Sequence, residues 1–257
     1  MRAAQTEGSA ERVELFGCPF DRVDLAKAVA QVEAAIATRG KLTQSVGVNL
    51  DQLLKMQEDP AFREIILQCD QITADGQPII WLSRLFGDPL PERVPSVDIM
   101  EALLPVAAAK GYKIFLLGTK QELLDRAAES MLAKHPGLPL VGRRNGYFKV
   151  EDEPEIVKQI NESGADMLFV AISSPKKEEF VERNRAALQV PFVMGVGGAF
   201  DIAAGQYTRA PHLVQKVGLE WAWRVAQEPK RMGPRVLHDL KFGKYVAREA
   251  LRRARAR

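Results

Sequence analysis

Residues 112–196, YKIFLLGTKQELLDRAAESMLAKHPGLPLVGRRNGYFKVEDEPEIVKQINESGADMLFVAISSPKKEEFVERNRAALQVPFVMGV, decide the fold. Residues 112–117, 138–141, 167–172 and 191–196 are short apolar runs and read as strands. Residues 122–134, 153–162 and 176–188 carry helical periodicity between them. Strands of five or six apolar residues separated by helices of ten to fifteen residues predict βαβ units. The fold class expected is therefore α/β: a Rossmann-like, mainly parallel sheet flanked by helices. Ligands of such sheets sit beyond the C-terminal strand ends.

Upstream, 13–16 reads as an edge strand. Asp21 reads as the N-cap of a helix that carries Val23, Leu25, Val29, Val32 and Ile36 near one face. Residues 45–48 read as a strand ending at Asn49, and 50–56 as helical. Asp59-Pro60 is a cap followed by proline at the first helical position. Residues 71–73 predict a brief strand running into Ala74-Asp75-Gly76, then a helix over 78–86. A proline-rich loop follows over 87–95, then a helix over 98–110 kinked at Pro105. The expected organisation is a disordered lead-in (1–12), an α/β core (13–205) and a basic helical C-terminal appendage (206–257).

At 257 residues with 46% hydrophobic and 27% charged content, the chain has the composition of a globular domain. No apolar run is long enough to span a bilayer, and the first residues lack the apolar core of a secretory signal. Cys18 and Cys69 stand alone and fit buried thiols in a reducing cytoplasm. The three histidines have no metal-site spacing, so neither metal nor cofactor is expected. The net charge of +3 is segregated: 206–257 holds 13 Lys+Arg against 4 Asp+Glu, leaving the first 205 residues at −6. A basic tail on an acidic body points to an anionic partner. The segment 236–257 reads either as an amphipathic helix on anionic lipid or as a helix packed on its own domain.

The chemistry-bearing residues gather at predicted strand ends. Asp75, between a strand and a helix, suits a general base, although Asp-Gly also makes ordinary turns. The last strand runs into Gly195, Gly197, Gly198 and Asp201, followed by Arg209, Arg224, Arg231 and Arg235. Glycine backbone beside arginines suits a diphosphate. Local Glu220–Arg224 and Arg224–Glu228 ion pairs are the plainer reading of that helix. Pro175, Lys177 and Glu178 open a helix, and Gly118 and the turn from Gly142 to Tyr147 close strands. Trp221 and Trp223 read as core or interfacial anchors before sugar-stacking groups.

The run GVGGAFDIAAGQYTRAP, then GLEWAWRVAQEPKR, resembles the C-terminal signature of the WecG/TagA/CpsF glycosyltransferases (glycosyltransferase family 26). The resemblance extends from about 13 to about 235. Asp75-Gly76 matches the motif that supplies the family's proposed catalytic base, and Asn49 the Asn ending an early strand. Gly142 to Tyr147 matches its Gly-x-x-x-Gly-Tyr turn. Pro175 and Glu178 fit its Gly-x-Pro-x-Gln-Glu motif, with Ser173 and Lys177 in place of Gly and Gln. The family's Thr two places before Asn49 is Gly47 here, and its Gly-Ser-Asp is Ser96-Val97-Asp98.

The resemblance implies an inverting transferase that moves a sugar from a UDP-sugar to a polyprenyl-diphosphate-linked sugar in cell-surface or extracellular polysaccharide synthesis. It would act from the cytoplasm, peripheral to the inner membrane face, through an anionic membrane surface met by the basic C-terminus. The donor implied is UDP-N-acetylmannosamine-like, or, because of these departures, a variant such as glucose or a uronic acid that Lys177 would suit. No nucleic-acid partner is expected; a homo-oligomer is left open. The alternative is a Rossmann-type dinucleotide-dependent oxidoreductase. Its G-x-G-x-x-G fingerprint is broken at residue 200 and comes late in the chain.

Overall fold

The computed structural model describes residues 11–255 apart from 217, 231–232, 234–237 and 239. Six strands form one sheet in which every pairing is parallel: β3 (Thr43–Val48), β4 (Gln71–Ala74), β5 (Ile114–Gly118), β6 (Leu140–Arg144), β7 (Met167–Ala171) and β8 (Phe192–Gly195), in the order β4-β3-β8-β7-β5-β6. β1 (Arg12–Leu15) and β2 (Cys18–Asp21) make a separate antiparallel hairpin.

The central strands β5, β7 and β8 are covered on both faces, which is why they are almost continuously apolar, whereas the edge strand β6 ends in two arginines. Ile114, Leu116, Met167, Phe169, Phe192 and Met194 point to a core shared with α1 (Leu25–Thr38), α5 (Ser96–Lys110) and α6 (Gln121–Lys134). The alternate residues Phe115, Leu117, Leu168, Val170 and Val193 face α7 (Glu153–Glu162) and α8 (Lys176–Asn184). A third cluster joins Val46, Val48 and Ile72 to α2 (Leu50–Glu58), α3 (Pro60–Leu67), α4 (Gln77–Leu85) and the hairpin.

Several local expectations are corrected. Asp21 does not cap α1. The chain reverses at Phe16 and Gly17, both at positive φ, so Asp21 ends β2, where it pairs with Arg12 and accepts the Ile72 N–H at 2.7 Å. Asp24 is the cap, accepting from Lys27 N. Arg12 is thus structured, while 1–10 of the expected lead-in lie outside the described residues. The strand expected to end at 141 continues to Arg144, so Gly142 lies in β6 rather than in a turn. The helix opening at Lys176 stops at Asn184, not 188, and Pro105 lies inside the single helix α5.

Among the described residues beyond β8 are the short helices α9 (Ala199–Ala203), α10 (His212–Lys216) and α11 (Glu220–Gln227) and a longer one, Gly243–Arg255. This last helix packs on the body. Phe242 is buried against Phe16, with ring centroids 4.7 Å apart, and Tyr245 and Val246 adjoin the same cluster. Arg253 donates to the Phe86 carbonyl at 2.6 Å and lies over the Phe86 ring. Among the described residues no helix is long and apolar enough to cross a membrane.

Candidate active site

Because all six strands are parallel, their C-terminal ends share one edge of the sheet. Neighbouring strands lie about 4.8 Å apart, so β4 is roughly 10 Å from β8 and roughly 24 Å from β6. The edge thus divides into a β4-β3-β8 half and a β7-β5-β6 half.

Asp75 stands at the end of β4, held by its own N–H to the Val48 carbonyl at 2.9 Å. Burial pushes its carboxyl up to about 6. Nearby Glu220 and Asp98 push the same way, while the Ser96 backbone N–H and Arg93 oppose them. The Ser96 N–H is free to do this because it belongs to the first turn of α5, where helix amides have no intrahelical acceptor. Gly47 faces the same group. A β-carbon at 47 would lie 2.5 Å from Ser96 Oγ and 3.0 Å from Asp75 Oδ2. The two departures from the family pattern at 47 and 96 therefore touch one another.

The segment after β8 returns to this half of the edge. Arg93 donates to Glu220 Oε2 at 2.9 Å and to Gln215 Oε1 at 2.8 Å. Arg209 pairs with Asp98, with Glu101 at 3.0 Å and with Glu220 at 3.6 Å. Glu220 is thus committed to Arg93 and Arg209 rather than to Arg224. Arg209, expected to grip a diphosphate, is already held by three carboxylates, which a phosphate would have to replace. Arg224 lies over the glycine turn, its Nη2 2.9 Å from where a Gly198 β-carbon would be. The turn between α10 and α11 rests on α4: a β-carbon on Gly218 would lie 2.9 Å from Gln77 Cβ and from Trp81 Cζ2. Arg231 and Arg235 lie outside the described residues.

A second polar group lies where β3 and β8 end. Asn49 caps α2 in a reciprocal capping box with Gln52. Gln52 Nε2 donates at 3.0 Å to Glu178 Oε1, which also binds the Lys177 ammonium. Glu178 is 2% exposed, and its other carboxyl oxygen is buried with no hydrogen-bond partner among the described residues. The stem of Lys177 covers Gly195, whose β-carbon would lie 2.6 Å from Lys177 Cε. The charge on Lys177 is thus engaged inside the protein. Pro175 is the N-cap of α8.

On the other half of the edge, Asp201 accepts from Thr119 Oγ1 at 2.6 Å, tying α9 to the end of β5. Gly118, at φ +145, abuts the Ala171 backbone, and Gly142 abuts the Phe115 ring. Both glycines answer a packing need. Tyr147 is well exposed. Gly118, Gly142 and Tyr147 are thus separated from Asp75 by most of the sheet's width. Gly197, at φ +53, needs its glycine for backbone conformation alone.

Residues that sequence reasoning did not single out are Arg93, Ser96 as a neighbour of Asp75, and Glu220 as a bridge. Arg93 lay in a loop without a motif. No spacing rule pairs it with a residue 127 positions away.

Residues 13–256 match the family described as Glycosyl transferase WecG/TagA/CpsF family. The N-acetylglucosaminyldiphosphoundecaprenol N-acetyl-beta-D-mannosaminyltransferases of Staphylococcus aureus strains MW2 and NCTC 8325 / PS 47 are each 29% identical over 223 residues, covering 86% of this chain and 87% of theirs. The comparisons lend the oxidoreductase alternative no support. The fold alone would not choose an activity, but nearly the whole chain is matched, and it belongs to the WecG/TagA/CpsF family of glycosyltransferases.

Proposed function

We propose that the enzyme transfers a sugar, with inversion, from a UDP-sugar to a sugar carried on a polyprenyl diphosphate, in the synthesis of a cell-surface polysaccharide. The observation that carries this reading is Asp75, at the ligand edge, with its carboxyl raised to about 6 beside the docked α10–α11 segment. A carboxylate titrating near neutrality suits a general base. Asp75 takes the proton of the acceptor hydroxyl as its oxygen bonds the anomeric carbon. The bond from that carbon to the diphosphate breaks, and its electron pair leaves with UDP. Arg224 and the backbone at Gly197–Gly198 stabilise the departing charge.

The relatives' name specifies an N-acetylmannosaminyl donor group and an undecaprenol-linked acceptor. The engagement of Lys177 by Glu178 favours a neutral donor sugar over a uronic acid. Membrane contact is assigned to the exposed Trp81 and Leu85 on α4 and to Leu219 and Trp221 beside them, an apolar rim that starts just after Asp75. Tryptophan and leucine at such a rim fit the headgroup boundary. The exposed basic face of the last helix adds attraction for anionic lipid.

The test incubates the enzyme with synthetic prenyl-diphosphate-GlcNAc or -Glc and a panel of UDP-sugars, read by mass spectrometry. One added hexosamine or hexose with release of UDP is expected. Absence of transfer from every donor to either acceptor overturns the reading.

A further inference from the structure

We propose that Ser96 is the positioning residue of Asp75, and that residue 47 is glycine because Ser96 Oγ occupies the space its side chain would take. The proposal rests on Asp75 being the base and adds what holds it in place.

Four observations meet here. Gly47 of β3 pairs in register with Thr73 of β4, two residues before Asp75. Asp75 N–H and Val94 N–H bond the carbonyls of Val48 and Ala74, at 2.9 and 2.8 Å, so β3, β4 and the entry to α5 are laced together. Ser96 is buried at the head of α5, and its main-chain N–H is among the groups that hold the Asp75 carboxyl down against the rise that burial causes. A β-carbon on Gly47 would meet Ser96 Oγ at 2.5 Å and Asp75 Cβ and Oδ2 at 3.0 Å. The first of these separations is impossible without movement. The backbone of Gly47 has negative φ, so the glycine there serves space rather than conformation.

The hydroxymethyl group of Ser96 thus wedges α5 against β3 at the distance that lets its amide reach the carboxylate. Adding a methyl at 47 pushes α5 and Asp75 apart. Removing Oγ at 96 makes room for that methyl.

A double-mutant cycle tests this. Gly47→Ala is expected to lower kcat about 100-fold, the scale of a misplaced catalytic group, with the KM for the nucleotide donor little changed. Ser96→Ala alone costs roughly threefold, a lost hydroxyl with the amide retained. In the double variant kcat recovers to within about tenfold of wild type, because neighbouring sites that share space are not additive. The thermal midpoint should show the same recovery.

Wild-type kcat in Gly47→Ala, or a double variant no faster than Gly47→Ala, overturns the proposal. So does a double variant that stays insoluble when Gly47→Ala is insoluble. The base assignment fails separately, if Asp75→Asn turns over at the wild-type rate; the thermal coupling of 47 and 96 reads the wedge in either case.

Discussion

Arg93 Nη1 lies 2.9 Å from Glu220 Oε2, and this one ion pair ties the loop before α5 to the first turn of α11. Glu220 also faces Asp75 and raises its carboxyl. Glu220→Gln keeps the shape, removes the like charge and lowers the Asp75 pKa. The acid limb of kcat/KM is therefore expected to move to lower pH, by roughly half a unit to one unit. An unmoved limb would separate Glu220 from the base.

Asp75 serves as a base only when ionised, so kcat/KM should fall as pH drops through about 6. Asp75→Asn should lose at least about 100-fold in kcat. The sign for stability is the reverse. A carboxyl raised in the fold binds its proton more tightly there than in the unfolded chain. Ionisation thus costs stability as pH rises from about 4 to about 6. The Asn variant, free of that cost, should melt a few degrees higher at pH 7.5.

Arg224 lies over Gly198, and in the proposed reaction its guanidinium would meet the leaving diphosphate at the glycine turn. Arg224→Ala should reduce kcat/KM by about 100-fold and weaken product inhibition by UDP. Arg224→Lys should recover only part of this, because a point charge lacks the planar fork. Isothermal titration with UDP reads both.

Lys177 and Glu178 form a buried pair. Breaking it leaves an uncompensated charge, so Lys177→Ala is expected to cost about 3 kcal/mol in urea denaturation. Lys177→Gln should cost less, since the amide still donates to the carboxylate. If the donor is neutral, its preference over uronic donors should persist in the Gln variant.

The apolar rim predicts how the enzyme meets lipid. Leu85→Glu with Trp221→Glu should reduce co-sedimentation with vesicles of phosphatidylglycerol and phosphatidylcholine at least about tenfold. Activity on a water-soluble short-chain acceptor should stay within about threefold. Equal loss on both acceptors would assign these residues to folding instead.

The α/β class was legible because a two-sided sheet forces uninterrupted apolar strands, and 112–196 displays four of them. The strand-end location of Asp75 was legible for the same reason. Asp21 misled because DRVD offers two acids at the head of one helix, and a local rule cannot see that the first bonds Ile72 on a distant strand. Arg209 was legible only by type. Its guanidinium suits phosphate, but its pairs with Asp98 and Glu101 of α5 depend on packing that no spacing in the sequence displays. The Gly47–Ser96 contact was invisible to spacing, because a β-carbon conflict exists only once two segments are folded together.

Phe16 and Phe242 meet edge to face, with ring centroids 4.7 Å apart, in one core cluster, although nearly the whole chain lies between them. The hairpin and helices α2–α4 precede in the chain the aromatic side chain that covers them. Their shared core therefore closes only once a segment more than two hundred residues downstream has been made. The basic tail acts as a latch on a part of the molecule built long before it.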